Sequence, residues 1–333
     1  DATEMKKNTL TQNSLDVMEQ MDGPLTITTY VNMLDENYYE FMPRYYNEDF
    51  KRFDKYIRFK PEIKLQYVYY YDKTSNPSLD RRYPGLTDEQ RLQKICEAED
   101  WNPKNILSPE EIREMEDLSG EYNKIVRVLE RGNGQKAFLR IYDDNMRHPS
   151  ETEITAVLKR MVVKSPMVAF LSGHGERNID GAGERDYYAF SQYKTFRNSL
   201  VNQGFDNMTL SLENLDAIPD NVDILVISDV RTPLSDKEQK IIEDYIAQGG
   251  NLLIAGEPRR QQQMNPLLAP LGLAFMPGIL VQAHKDFNAD LILASFTRAA
   301  GELTSLFYRE YRYGDKVTMP TATGIMQVED KGF

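Results

Sequence analysis

The sequence predicts a two-domain α/β protein whose second half is a parallel sheet layered with helices. Two observations carry this expectation. In the second half, short apolar strands at 167–171, 223–228 and 251–256 alternate with amphipathic helices. Continuously apolar strands of that length are buried on both faces, as in Rossmann-like parallel sheets. In the first half the chain opens strand, helix, strand, and a crossover helix between two strands implies a parallel pair.

The elements follow in order. Residues 24–31 are rich in β-branched side chains and predict a strand. Residues 38–59 carry Phe41, Tyr45, Phe53 and Tyr56 at helical spacing, and 62–69 alternate polar with apolar as a second strand. Four capping boxes then mark helix starts: Thr87 with Gln90, Ser108 with Glu111, Ser150 with Glu153, and Ser235 with Glu238. Pro109 follows Ser108 at the first helical position, where a missing N–H is harmless. Residues 125–130 and 135–142 flank the glycine-rich turn 131–134 and predict a hairpin. Strand, helix, strand, helices, hairpin, helix is the order of a thioredoxin-like domain. The expected domains are therefore 1–163, thioredoxin-like, and 164–333, with the boundary near Lys164, Ser165 and Pro166.

In the second domain, the strand 167–171 precedes a helix expected to carry Phe190, Tyr193, Phe196, Leu200 and Val201 on one face. The helix containing Ile241, Ile242, Tyr245 and Ile246 stops at Gly249 and Gly250, a C-cap signal. The uncharged run 261–284 contains Pro266, Pro270 and Pro277, which disfavour a membrane-spanning helix, so it is read as a short helix and two strands. Residues 317–328 read as the beginning of more β structure. Both ends look interrupted, and residues 1–11 are polar and read as mature domain rather than signal peptide. The expectation is a piece of a longer protein, its second domain truncated at the C-terminal end.

A chain of 333 residues, 41% hydrophobic and 28% charged, can bury two ordinary cores. Its net charge of −12 repels nucleic acid and anionic headgroups, so neither is expected as a main partner. The single cysteine, Cys96, makes no internal disulfide and no paired-thiol redox site.

In a parallel sheet the loops after the strands gather on one edge. Here they bring Gly173, His174, Gly175, Glu176, Arg177, Asp229, Arg231, Glu257 and Arg259 to a common rim. This is the candidate ligand site; the competing reading is that these charges pair with one another to hold the loops. Enzyme readings of this stretch lack parts. Gly173, Gly175 and Asn178 follow a dinucleotide fingerprint only until its last glycine. His174 and Glu176 have the order of a zinc deaminase without its cysteine partners. His148 and His284 add no ligand spacing, so no metal site and no cofactor are expected. There is no phosphate-binding loop for ATP and no nucleophile elbow. Cys96 is read as a small buried hydrophobe rather than a reactive thiol. The tyrosines at 38–39, 45–46 and 67–71 offer either a stacking surface for a sugar or peptide or half-buried packing, and packing is the favoured reading.

The segment FLSGHGER at 170–177 resembles the auxiliary, substrate-binding-like component of the gliding-motility-type ABC transport system. NTLTQNS at 8–14, GPLTI at 23–27, GGNLLI at 249–254, NPLLAPLG at 265–272 and Pro277 with Gly278 agree in order. The resemblance implies a class I glutamine-amidotransferase-like fold for the second domain, without its catalytic cysteine. It also implies a non-catalytic component on the periplasmic side, tethered to the inner membrane through anchors absent from this chain. A permease and an ATPase are the implied partners, and a small anionic or saccharide ligand remains open. The family supplies no catalytic residues to carry over. The alternative is a hydrolase or carbohydrate-active enzyme using His174 and Glu176.

Overall fold

A computed structural model describes residues 8–332 of the chain. The expectation for the polar start, as far as residue 7, lies outside the described residues. The protein is a mixed α/β chain in two compact units. Among the described residues, one comprises 8–166 with 189–206, the other 167–188 with 207–332.

The first unit begins with α1 (Gln12–Glu19), followed by β1 (Leu25–Asn32). After two single 3-10 turns comes α2 (Tyr46–Phe59), then β2 (Ile63–Tyr70). The single helix expected over 38–59 is thus broken before Tyr46. Pro43 lacks the N–H that a continuous ladder needs, and Met42 before it is extended, as residues preceding proline prefer. Next come α3 (Pro77–Arg82), α4 (Asp88–Glu99), α5 (Pro109–Met115), the hairpin β3 (Val126–Arg131) and β4 (Lys136–Arg140), and α6 (Glu151–Arg160). The strand order is β2-β1-β3-β4. β1 and β2 are parallel, with Ile27 opposite Leu65, while β3 runs antiparallel to both β1 and β4.

The two faces of this sheet follow the strand period of two. Leu25, Ile27, Leu129 and Leu139 meet Val17, Phe53, Ile154 and Leu158 of the helices on one side. Tyr30, Val126 and Val128 meet Ile112 and Leu118 on the other. The tyrosines of β2 pack as expected. Tyr46 stacks on Tyr67 with centroids 4.0 Å apart, and the Tyr69 hydroxyl donates to the Phe41 carbonyl at 2.5 Å. Cys96 is buried, and burial pushes its thiol up.

The second unit contains β5 (Met167–Ser172) and β6 (Asp206–Ser211) from its second residue on, whereas the single-turn α7 (Tyr188–Ser191) falls in the first unit after Tyr188. Then come β7 (Ile224–Ser228), α8 (Asp236–Ala247), β8 (Asn251–Ala255), α9 (Gln261–Leu268) and β9 (Leu273–Phe275). The sheet order is β6-β5-β7-β8, with β5, β7 and β8 parallel. Ala169, Leu171, Leu225 and Ile227 form its core with Ile241, Ile242 and Ile246 of α8 and with Met264 and Leu268 of α9. Cover is incomplete at the edge strand, where Leu253 is 50% exposed.

Two expectations need correction. The helix predicted to carry Phe190 through Val201 does not form beyond α7. Its carbonyls have other partners: the Asn202 side chain takes those of Lys194 and Phe196, and the Asp143 N–H takes that of Thr195. Local side-chain bonds of this kind compete with a helical ladder. The run 261–284 yields one helix and one strand, since no second strand appears before β10 (Leu291–Ser295). Residues 317–328 are largely β structure: β11 (Lys316–Pro320) pairs with β10, and β12 (Ile325–Gln327) pairs with β9.

Candidate functional site

The carboxyl ends of β5, β7 and β8 do converge, and backbone hydrogen bonds stitch their loops together. The Asp229 N–H donates to the Ala255 carbonyl at 2.8 Å, the Arg177 N–H to Ser228 at 3.1 Å, and the Arg231 N–H to His174 at 2.8 Å. Gly175 makes the closest approach possible. It has φ +77°, and a Cβ there would lie 3.0 Å from the Cβ of Arg231.

The charges on these loops are paired. Nε2 of His174 lies 3.0 Å from Oε1 of Glu238, the residue that closes the capping box of α8. Burial pushes the Glu238 carboxyl up, but the Ser235 hydroxyl and the His174 ring outweigh it and hold the group down at about 2. Among the described residues, no group of three or more acidic, histidine or cysteine side chains is arranged for a metal ion. One oxygen of Glu176 accepts the His174 N–H at 2.7 Å, while the other is buried without a hydrogen-bond partner. Arg177 pairs with Glu257 and lies 5.6 Å from the centroid of Tyr187.

Asp229 is the centre of the network. It is 1% exposed and sits directly after β7 with φ 54°, a left-handed conformation that aspartate tolerates better than most residues. Arg185 bonds its carboxylate, Arg231 approaches within 3.8 Å and Arg260 within 3.7 Å.

The rim residues therefore divide. Gly173, Gly175, Glu176 and Arg177 line a cleft of about 390 Å³, closed on its other side by Ile179, Asp180 and Thr209. His174, Asp229, Arg231 and Glu257 stand outside the cleft lining and hold the loops by ion pairs and backbone bonds. Arg259 is exposed and makes no ion pair among the described residues; its neighbour Arg260 faces Asp229 instead. Sequence reasoning missed Arg185 and Arg260. Arg185 stands far from any strand end, in the glycine-rich stretch before α7, so strand-end logic does not reach it. For Arg260, the signal available was only a second arginine beside Arg259.

The comparisons with known proteins bear on this unit. A solved structure titled "mmIFT52 N-terminal domain" is similar over 50% of this chain and 69% of its own, at 14% identity and a TM-score of 0.34, too low to weigh for the fold. No curated protein matches the chain. Residues 165–292, which include the strands β5 to β9 and every rim residue, match a family model described as "ABC-type uncharacterized transport system". Over that segment, which is less than half of the chain, the protein is similar to this family of ABC-transport auxiliary components.

Proposed function

We propose that the protein is a non-catalytic, extracytoplasmic auxiliary component of an ABC transport system, acting in ligand binding or complex assembly beside a permease and an ATPase. The observation that carries the non-catalytic part is the closure of His174 onto Glu238. Glu238 also closes the N-terminal cap of α8, so the contact gives the ring a structural role, joining the β5 loop to the helix start. The family match over 165–292 supports the transport role. In this reading the protein belongs to the gliding-motility type and is tethered to the periplasmic face of the inner membrane.

The same reading extends to the folds. The order β2-β1-β3-β4, with one parallel pair and an antiparallel hairpin, supports a thioredoxin-like first domain. The parallel run of β5, β7 and β8 supports a Rossmann-like, glutamine-amidotransferase-like second domain. If the rim cleft takes a ligand, its contacts come from Gly173, Gly175, Glu176 and Arg177, with Arg177 available to an anionic group only when it leaves Glu257.

The test is fractionation of the full-length protein from its native cells, with protease added to intact and to opened periplasm. Sedimentation with membranes and digestion only from the periplasmic side are expected. Recovery in the cytosolic supernatant contradicts the reading.

A further inference from the structure

The first unit contains a larger cleft that the reading above does not use. It lies at the carboxyl ends of the parallel strands β1 and β2, where α/β sheets commonly bind ligands. Residues 36–39 follow β1 and form one wall, while Asn76, Ser78 and Leu79 follow β2 and form another. Its volume is about 780 Å³, within the range of small-molecule sites.

We propose that this cleft binds a neutral saccharide. Its chemistry argues against an apolar ligand and against one of net charge. An apolar ligand would need an apolar lining, yet Leu79, Ile95 and Ala98 are the only lining side chains without a polar group. A charged ligand would need a charge excess. Here Glu36, Asp143 and Asp144 are matched by Arg82, Lys94 and Arg147. What remains is a set of tyrosine rings, Tyr38, Tyr39 and Tyr83, beside carboxylates, guanidinium groups and the amides of Asn37 and Asn145. Aromatic faces take the C–H face of a sugar ring, and fixed planar polar groups take its hydroxyls.

The walls are held in place before any ligand arrives. Asn76 is buried and ties the two strand-end loops together: its amide donates to the Leu34 carbonyl at 2.9 Å and accepts the Leu79 N–H at 3.0 Å. Arg147 bonds Asn37, reaches Glu40 at 2.9 Å and the Tyr39 hydroxyl at 3.4 Å. Tyr38 meets Tyr39 edge to face with centroids 6.3 Å apart, and its hydroxyl donates to Glu99 at 3.2 Å. Burial, and then the Glu99 charge, push that hydroxyl up to about 12, so it stays a donor. Tyr39 remains 42% exposed, an open ring on an ordered wall. Preorganisation of this kind lowers the ordering cost of binding.

The test is calorimetric titration of the full chain with maltohexaose, cellohexaose and chitohexaose. At least one is expected to bind, with saturation transferred from tyrosine ring protons to the bound sugar in NMR of the unaltered protein. Tyr39→Ala should weaken binding by roughly tenfold, and Tyr39→Phe should stay within about twofold because the ring is kept. Tyr313→Ala, at a 76% exposed tyrosine of the other unit, should change nothing. Absence of binding by all three sugars up to millimolar concentration overturns the proposal, as does undiminished binding by Tyr39→Ala or equal weakening by Tyr313→Ala. Either result leaves the transport role untouched, because that role rests on the other unit.

Discussion

Glu238 makes two attachments with one carboxylate: Oε2 accepts the Ser235 N–H at 2.9 Å to close the N-terminal cap of α8, and Oε1 faces the His174 ring at 3.0 Å. The helix start and the β5 loop are therefore fixed by one residue.

Glu238→Gln should destabilise the protein by ~1 kcal/mol at neutral pH, the usual worth of a cap. The carboxyl sits at about 2 in the folded protein against 4.5 ordinarily, so its contribution is complete above pH 4.5 and is lost as pH falls toward 2. Urea unfolding at a series of pH values checks this. The gap between the unaltered protein and Glu238→Gln should close on acidification; a gap that is constant with pH contradicts it.

Asp49 and Arg127 form an ion pair inside the first unit, with Arg127 completely buried beneath Phe41 and Phe53. The second oxygen of Asp49 accepts the Tyr67 hydroxyl at 2.7 Å. Burial pushes the Asp49 carboxyl up, but Arg127 and then Tyr67 more than reverse this and leave it below the usual range. Asp49→Ala strands a guanidinium in the core and should cost about 3–5 kcal/mol in chemical denaturation. A loss under about 1 kcal/mol, the scale of surface pairs, shows the pair to be solvated instead.

His148 bonds Glu40 at 2.9 Å, yet it is neutral near pH 7. Burial first, then Arg127 and Arg52, push the imidazole from 6.5 down to about 4, against the opposing pull of Glu40 and Asp49. The stability this contributes is present above pH 6.5 and is lost as pH falls through 4, because the unfolded chain takes up the proton first. NMR titration of the imidazole C–H resonances should place His148 well below 6.5. An ordinary midpoint would mean that the ring is solvated.

Asp229 gathers Arg185, Arg231 and Arg260 from three loops. Asp229→Ala removes the common carboxylate and puts a less tolerant residue at φ 54°. Because the three arginines are each about a third exposed or more, they can turn to water, and the cost should be about 1–3 kcal/mol. Limited proteolysis should show faster cleavage within residues 178–187, with Asp229→Asn intermediate. Equal cleavage rates would remove Asp229 from its role as anchor.

How much of this was legible in the sequence varies with the kind of signal. All four capping boxes are present, because Ser or Thr with Glu or Gln three residues on is a local, self-contained bond pair. The buried strands were legible by their apolar runs. β6 was not: only Leu210 of it is buried, so the edge strand shows no alternation. The segment after α7 has helical apolar spacing but spends its carbonyls on Asn202 and Asp143, partners that local pattern cannot reveal. At the rim, convergence of the loops followed from strand direction alone. Which charge meets which did not, and Arg185 and Arg260 took places at Asp229 that position in the sequence could not assign.

The most direct measurement of the central claim is co-purification. The full-length protein, tagged and extracted from its native membranes in mild detergent, is captured and its companions are identified by mass spectrometry. The account predicts that an ABC permease and its ATPase come down together with it, and that Glu238→Gln, which loosens the β5 loop without emptying a catalytic site, leaves their ATP hydrolysis chemically intact. Capture of the full-length protein without either subunit would contradict the assignment.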